Sequence, residues 1–133
     1  MSKPRFMSAQ HVDLMNGLLA MDADSQAECA RLDRRYWMSY ELADPAGTVW
    51  WSVEFNPGSG VRFSLAPPAA GEPVVLYRGD HRAVVEATRR LKQGESTALP
   101  VTTQDDLGVM GIIGPAFAAA GRAATIPSEF PES

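Results

Sequence analysis

Four side chains with the chemistry of a general base stand in two adjacent pairs, Asp80–His81 and Asp105–Asp106. A carboxylate beside an imidazole can move protons, and two carboxylates can form an acid–base pair or hold a metal ion. Neighbouring side chains on a helix point in different directions, however, and helix capping explains acidic residues at these places. We therefore expect no catalytic residue and no metal site. A small isomerase- or lyase-type enzyme acting on an apolar substrate, with one of these four as base, is the alternative hypothesis.

The remaining reactive side chains form no recognisable catalytic motif. Cys29 is the one cysteine, so no internal disulfide can form, and we expect a small buried residue rather than a nucleophile. The sequence contains no nucleophile elbow, no phosphate-binding loop, no zinc-protease motif and no dinucleotide fingerprint. We expect no cofactor.

The composition is that of one globular domain. The 133 residues are 45% hydrophobic and 21% charged, with a formal net charge of −4. Nucleic acid is not an expected partner, because phosphate binding needs a clustered basic face. The absence of an apolar signal-type region near Met1 predicts a cytoplasmic location. We predict one domain over 1–133, with N-terminal helices in 1–35, a core in 36–123 and an extended tail in 124–133.

Hydrophobic periodicity predicts helices at both ends of the chain and strands between them. Helical spacing indicates helices after Ser8, over 25–33, from Asp80 to near Gly94, and after Asp106. Alternating β-branched and aromatic residues predict strands at 36–43, 48–56, 60–66 and 74–78. The stretch 97–103 is expected to be short and extended, and Pro100 confines it to a sheet edge or an irregular position. This order favours the α+β class: a single antiparallel-dominated sheet of about five strands, covered on one face by helices.

The stretch Leu107–Gly121 contains no charged or polar side chain. As a helix it would rise roughly 22 Å, whereas a membrane span needs about 20 residues. Charged residues also end it on both sides, so we expect no integral membrane association. Proline in a helix interior removes a hydrogen bond, so Gly114–Pro115 predicts a break or a restart there. We expect a broken apolar lid over the sheet.

Three stretches resemble the sterol carrier protein type-2 domain. They are "YWMSYELADPAGTVWWSVEFNPGSGVRFSLAPP", "PVVLYRGDHRAVVEATRRL" and "LPVTTQDDLGVMGII". Asp44, Trp50 or Trp51, Gly60, Asp80 and Asp106 stand at matching places, and the resemblance covers 36–117. It implies a five-stranded sheet covered by helices, with a hydrophobic tunnel between them. It also implies binding of sterols, fatty acids, fatty acyl-CoA or phospholipid, without catalytic residues.

We therefore predict non-catalytic binding or transfer of a hydrophobic ligand such as a fatty acid, a fatty acyl-CoA or a sterol. Periodicity places the expected lining on the inward face of the sheet and on the last helix: Trp51, Val53, Phe55, Phe63, Leu65, Leu107, Met110, Ile113 and Phe117. Aromatic residues on both faces of the second predicted strand leave a third hypothesis open. In it, the core is filled and an exposed aromatic patch docks a partner or forms a homodimer.

Overall fold

The structure, a computed structural model, describes residues 4–124, so the predicted tail beyond Ala124 lies outside the described residues. Within this range the chain forms α1 Ala9–Leu19, α2 Ala23–Ala30, β1 Tyr36–Asp44, β2 Gly47–Asn56, β3 Gly60–Ser64, β4 Val74–Asp80, α3 His81–Lys92, β5 Val101–Gln104 and α4 Val109–Ala123. No helix in this part of the chain has both the length and the apolar character that crossing a membrane requires.

The five strands form one sheet in the order β3-β2-β1-β4-β5. β1 and β4 are parallel, whereas the other three neighbouring pairs are antiparallel. The predicted α+β class and the antiparallel-dominated five-stranded sheet are thus confirmed. The register aligns Trp51, Tyr40 and Tyr77 in one row across three strands. Because side chains alternate along a strand, this row lies on one face of the sheet.

The helices cover that face and enclose the main hydrophobic core. α1, α2 and α4 contribute residues such as Met15, Cys29 and Ile113, which pack with Val53 and Phe55 of the sheet. The last four of these are fully buried. Beside this core, α3 packs on β1 and β4.

Acidic and hydroxyl side chains begin the helices, as the sequence predicts for the helices after Ser8 and Asp80. Ser8, Asp22 and Asp80 accept hydrogen bonds from backbone N–H groups at the starts of α1, α2 and α3. The second helix was expected from residue 25, but Asp22 caps it and it begins at Ala23. The Asp105 carboxylate accepts from the N–H groups of Val109 and Met110, which begin α4.

The expected break at Gly114–Pro115 is wrong, because α4 continues through Pro115 to Ala123. The residue before a proline avoids the helical region chiefly because its Cβ meets the proline ring. Gly114 has no Cβ, so this clash is absent and the helix can continue. Pro115 still lacks the N–H that would bond to the Gly111 carbonyl.

The Pro-rich loop 65–73 between β3 and β4 covers part of the opposite face of the sheet. The Ser39 hydroxyl donates to Ser52 over 2.9 Å, and the Ser52 hydroxyl donates to the Ala66 carbonyl over 2.7 Å. Trp37 donates its indole N–H to Glu72 in the same loop over 2.6 Å. Aromatic residues on both faces of the sheet are therefore consistent with cover on both faces.

Two local arrangements hold neighbouring segments against the sheet: α1 lies against β3, and the segment before β5 lies against β4. Asn16 of α1 accepts a hydrogen bond from the Phe63 N–H over 2.8 Å and donates one to the Phe63 carbonyl over 3.0 Å. At the other end of the sheet, a Cβ added to Gly79 would lie 2.7 Å from the Pro100 carbonyl oxygen. Glycine at 79 thus allows the segment before β5 to approach β4.

Candidate functional site

A cavity of about 260 Å³ lies between the sheet, α3, α4 and the segment that precedes α1. Its walls consist of Phe6, Met7, Tyr40, Leu42, Trp51, Val84, Thr88, Leu91, Lys92, Leu99 and Phe117. Leu91 is 42% exposed and Phe117 is 37% exposed, and Lys92 is also exposed, so these residues mark the side that opens to solvent. The lining residues come from segments that are far apart in the sequence, so folding is needed to bring them together.

Carbon dominates the lining, and few polar atoms enter it. The Thr88 hydroxyl donates to the Val84 carbonyl one turn earlier, so its proton is already used within α3. Lys92 is the one charged side chain of the lining, and no carboxylate among residues 4–124 lies within ion-pair distance of its ammonium group. An apolar cavity with a few polar groups at its rim is typical of a small-molecule site.

Tyr40 forms part of the floor through its aromatic ring. The ring stacks on that of Tyr77, with centroids 4.9 Å apart and planes inclined by 22°. Burial, with the neighbouring Tyr77 as a smaller cause, raises the pKa of Tyr40 to about 12. The phenol is therefore protonated at neutral pH and presents a neutral hydroxyl rather than a charge.

An aromatic cluster forms the wall near α1. Trp51 lies 5.8 Å from Phe6, 5.7 Å from the His11 ring and 5.5 Å from Phe63, measured between ring centroids. Such separations are favourable for aromatic pairs. These contacts pack the Trp51 indole against rings from the segment before α1, from α1 and from β3.

The structure places the nine residues of the predicted lining in three settings. Trp51 and Phe117 border the cavity. Val53, Phe55 and Ile113 are fully buried in the core, and Phe63 and Met110 pack against it. Leu65 and Leu107 are exposed, by 41% and 69%. Leu107 borders a depression on the opposite side of the sheet, between β4 and β5.

The candidate bases lie away from the cavity, in structural roles. Asp80 and Asp105 accept backbone hydrogen bonds at helix starts, and Asp106 is exposed. The His81 ring lies 3.2 Å from the Asp44 carboxylate, at the far end of β1. Residues 4–124 contain no group of three or more histidine, cysteine or acidic side chains that could hold a metal ion.

Cys29 is fully buried, as expected from the sequence. Burial is the main cause that raises the pKa of its thiol to about 11. The thiol is therefore protonated at neutral pH and is a poor nucleophile.

Sequence reasoning missed most of the cavity wall. The α3 stripe of Val84, Thr88 and Leu91 was recognisable from its spacing, because residues four and three apart share a helix face. Alternation from Tyr36 could also have assigned Tyr40 and Leu42 to the inward face of β1. Phe6 and Leu99 carry no such signal, because they lie in irregular segments.

Two solved structures share this fold. A solution structure of a conserved hypothetical protein from Thermus thermophilus, described as possibly a sterol carrier protein, is 11% identical, with a TM-score of 0.52. The match covers 93% of this chain and 90% of that one. A crystal structure of sterol carrier protein 2 is 10% identical, with a TM-score of 0.51, over 92% of this chain and 100% of that one. The predicted resemblance is thereby confirmed for the fold. No protein-family model matches the sequence, and no curated protein matches it significantly.

Proposed function

We propose that this chain, which has the fold of sterol carrier protein 2, binds a hydrophobic ligand without chemical conversion in the cavity between α3, α4 and the sheet. The observation that carries the proposal is the cavity itself, about 260 Å³ in volume and lined mainly by carbon atoms. Contact of an apolar ligand with such walls gains roughly 25 cal/mol per Å² of buried apolar area. The names of the two similar structures support the same class of ligand.

The volume favours one acyl chain over a four-ring sterol. Small-molecule sites commonly measure roughly 300–1,000 Å³, and this cavity lies just below that range. A flexible chain of medium length can fill an irregular space of this size, whereas a rigid fused ring system needs a larger one. We propose fatty acyl compounds as the first ligands to test.

Lys92 supports a polar or anionic end on the ligand. Among the described residues, its ammonium group is the one charge in the cavity lining, and it lies on the exposed side with Leu91 and Phe117. An acyl chain that enters the cavity would leave its carboxylate near this rim, where the ion pair needs little desolvation. The arrangement fits an amphiphile with one buried tail.

Within this proposal, Trp51 and Phe117 are the two members of the predicted lining that contact the ligand directly. Val53, Phe55 and Ile113 support these walls from the core, and Met110 and Phe63 pack beside them. Leu65 and Leu107 have no role in binding at this cavity. The rest of the contact surface consists of Tyr40, Leu42 and the α3 stripe.

The uncharged fluorophore N-phenyl-1-naphthylamine tests the proposal directly. Protein freed of bound lipid should take up the dye with saturable fluorescence, and decanoate should displace it. The variant Thr88→Phe should bind little dye while remaining folded, because its ring enters the cavity from α3. The absence of saturable uptake by the native protein, or equal uptake by Thr88→Phe, would overturn the proposal.

A further inference from the structure

The segment before α1 forms one wall of the cavity in a strained conformation. Phe6 and Met7 both line the cavity. The backbone of Met7 has a φ of 61°, in the left-handed region that side-chain-bearing residues rarely adopt. Such a conformation persists only where neighbouring contacts hold it.

His11 supplies those contacts. The Met7 N–H donates a hydrogen bond to Nδ1 of His11 over 3.1 Å. The imidazole packs against the rings of Phe6 and Trp51, at 5.6 Å and 5.7 Å, and is only 4% exposed; these two rings also contact each other at 5.8 Å. One side chain on α1 therefore connects the segment to both the helix and the sheet.

This connection depends on the protonation state of the imidazole. Nδ1 can accept the Met7 hydrogen bond only while it carries no proton, because both ring nitrogens of the imidazolium are donors. Within residues 4–124, the charged side chain that acts on His11 is Lys92 of α3, and the rings that contact His11 from the leading segment and β2 are uncharged. Burial, reinforced by Lys92, lowers the pKa of His11 below 6.5, so the ring is neutral at neutral pH.

We propose that His11 is a pH-sensitive switch that holds Phe6 and Met7 against the cavity and releases them when its ring takes up a proton. Protonation removes the acceptor for Met7, and it places a cation in a poorly solvated site where the positive charge of Lys92 also disfavours it. Both effects favour movement of the segment, and the strained Met7 backbone then relaxes. As a device that controls access to a ligand site, the switch rests on the proposed function.

The direction of the pH effect follows from the lowered pKa. In the unfolded chain the imidazole takes up a proton near pH 6.5, whereas the closed state takes it up only at lower pH. The state in which Phe6 and Met7 lie against the cavity is therefore most stable above about pH 6.5. Its stability decreases as the pH falls toward the pKa of the buried ring. Open segments become more populated on acidification.

Amide hydrogen exchange of the ligand-free protein tests the switch without any ligand. After correction for intrinsic rates, protection of the Met7 amide should fall roughly two- to tenfold between about pH 7.5 and about pH 5. The Met15 amide, inside α1, should keep its protection and so distinguish segment opening from global unfolding. Constant protection of Met7, or an equal loss at Met15, would overturn the proposal.

Two variants distinguish the loss of the hydrogen-bond acceptor at position 11 from the protonation of the His11 ring. His11→Asn keeps an oxygen acceptor near the position of Nδ1 and cannot titrate, so Met7 should stay protected at both pH values. His11→Phe keeps an aromatic ring but no acceptor, so Met7 should exchange rapidly at both. The same pH dependence in His11→Asn as in the native protein would contradict the switch.

Dissociation of N-phenyl-1-naphthylamine connects the switch to the cavity. Because the dye has no charge in this pH range, its release should accelerate on acidification in the native protein and not in His11→Asn. If the dye does not bind at any pH, the proposed function fails, while the exchange experiment still decides the switch. If the dye binds and its release rate is the same at both pH values, control of access is wrong.

Discussion

The indole N–H of Trp37 donates to the Glu72 carboxylate over 2.6 Å and fastens the Pro-rich loop to the face of the sheet opposite the helices. Arg35 reinforces this contact, because its guanidinium donates to both Glu72 oxygens and to Glu54. It also lies 5.5 Å from the centre of the Trp37 ring. The Glu72 carboxylate thus pairs with a cation and accepts a hydrogen bond from a buried indole. The attachment of the loop to β1 therefore depends on the negative charge of Glu72.

The Glu72 contact predicts a pH-dependent stability difference. Hydrogen bonds from Arg35 and from Trp37 lower the pKa of Glu72 below its ordinary value of 4.5. Its contribution is therefore complete above about pH 4.5 and is lost as the pH falls through the lowered value. Glu72→Gln should unfold at lower urea concentration than the native protein near pH 7, with a smaller difference near pH 3. Glu95→Gln, at an exposed position, is the control, and a pH-independent difference for Glu72→Gln would refute the assignment.

Removing the Phe117 ring should weaken ligand binding more than it weakens the fold. The ring borders the cavity and is 37% exposed, so truncation removes a ligand contact at a modest cost in core packing. We expect Phe117→Ala to raise the Kd for N-phenyl-1-naphthylamine about three- to tenfold. Ile112→Ala is the matched control, because Ile112 lies on the same helix, is 41% exposed and does not border the cavity. Equal effects of the two variants would exclude Phe117 from the site.

The charge of Lys92 should discriminate between ligands with and without an anionic end. Decanoate and decanol share a tail length, so their affinities should differ mainly through the head group. Lys92→Gln should weaken decanoate binding about threefold at low salt and leave decanol binding unchanged. Arg90→Gln is the control, because Arg90 is paired with Glu86 and does not border the cavity. Equal loss for both ligands would show that Lys92 contributes packing rather than charge.

A pair of glycine substitutions should have effects of opposite sign. Gly79→Ala places a methyl group 2.7 Å from the Pro100 carbonyl oxygen, which is backbone and cannot turn aside. We expect it to lower the free energy of unfolding by about 1–3 kcal/mol. Gly17→Ala should raise it by about 0.5–1 kcal/mol, because position 17 lies in α1 with open space around it. Urea titration of both variants measures this, and a neutral Gly79→Ala would show that the segment before β5 moves freely.

The first four strands could be predicted closely because their signals are local, whereas the stretch expected to be extended over 97–103 is a strand only at Val101–Gln104. The second strand was expected at 48–56 and is Gly47–Asn56, with Trp51, Val53 and Phe55 all on the buried face as alternation requires. The continuation of α4 through Pro115 was not foreseen, although the compensating residue, Gly114, is its direct neighbour. The missing N–H of Pro115 favours a break, whereas the missing Cβ of Gly114 removes the clash that would enforce one.

The cavity could not be predicted in the same way, because a residue lines it only where the faces of separate elements meet around an unfilled space. Val53 and Trp51 share one face of β2, yet only Trp51 borders the cavity and Val53 lies under the helices. Leu107 has the same apolar character as Leu42, but it precedes α4 and faces the other side of the sheet. Periodicity identifies an inward face, whereas the position of α3 over that face decides which part stays unfilled.

The paired hydrogen bonds between Asn16 and Phe63 occupy the free edge of β3 at one residue. An unpaired edge strand offers its N–H and C=O groups to any extended chain, which is the usual start of edge-to-edge aggregation. The Asn16 amide occupies both groups of Phe63 as the peptide unit of an added strand would. α1 therefore covers the edge of β3 at Phe63. β3 offers only five residues to an incoming strand, and the backbone groups of Phe63 are already taken.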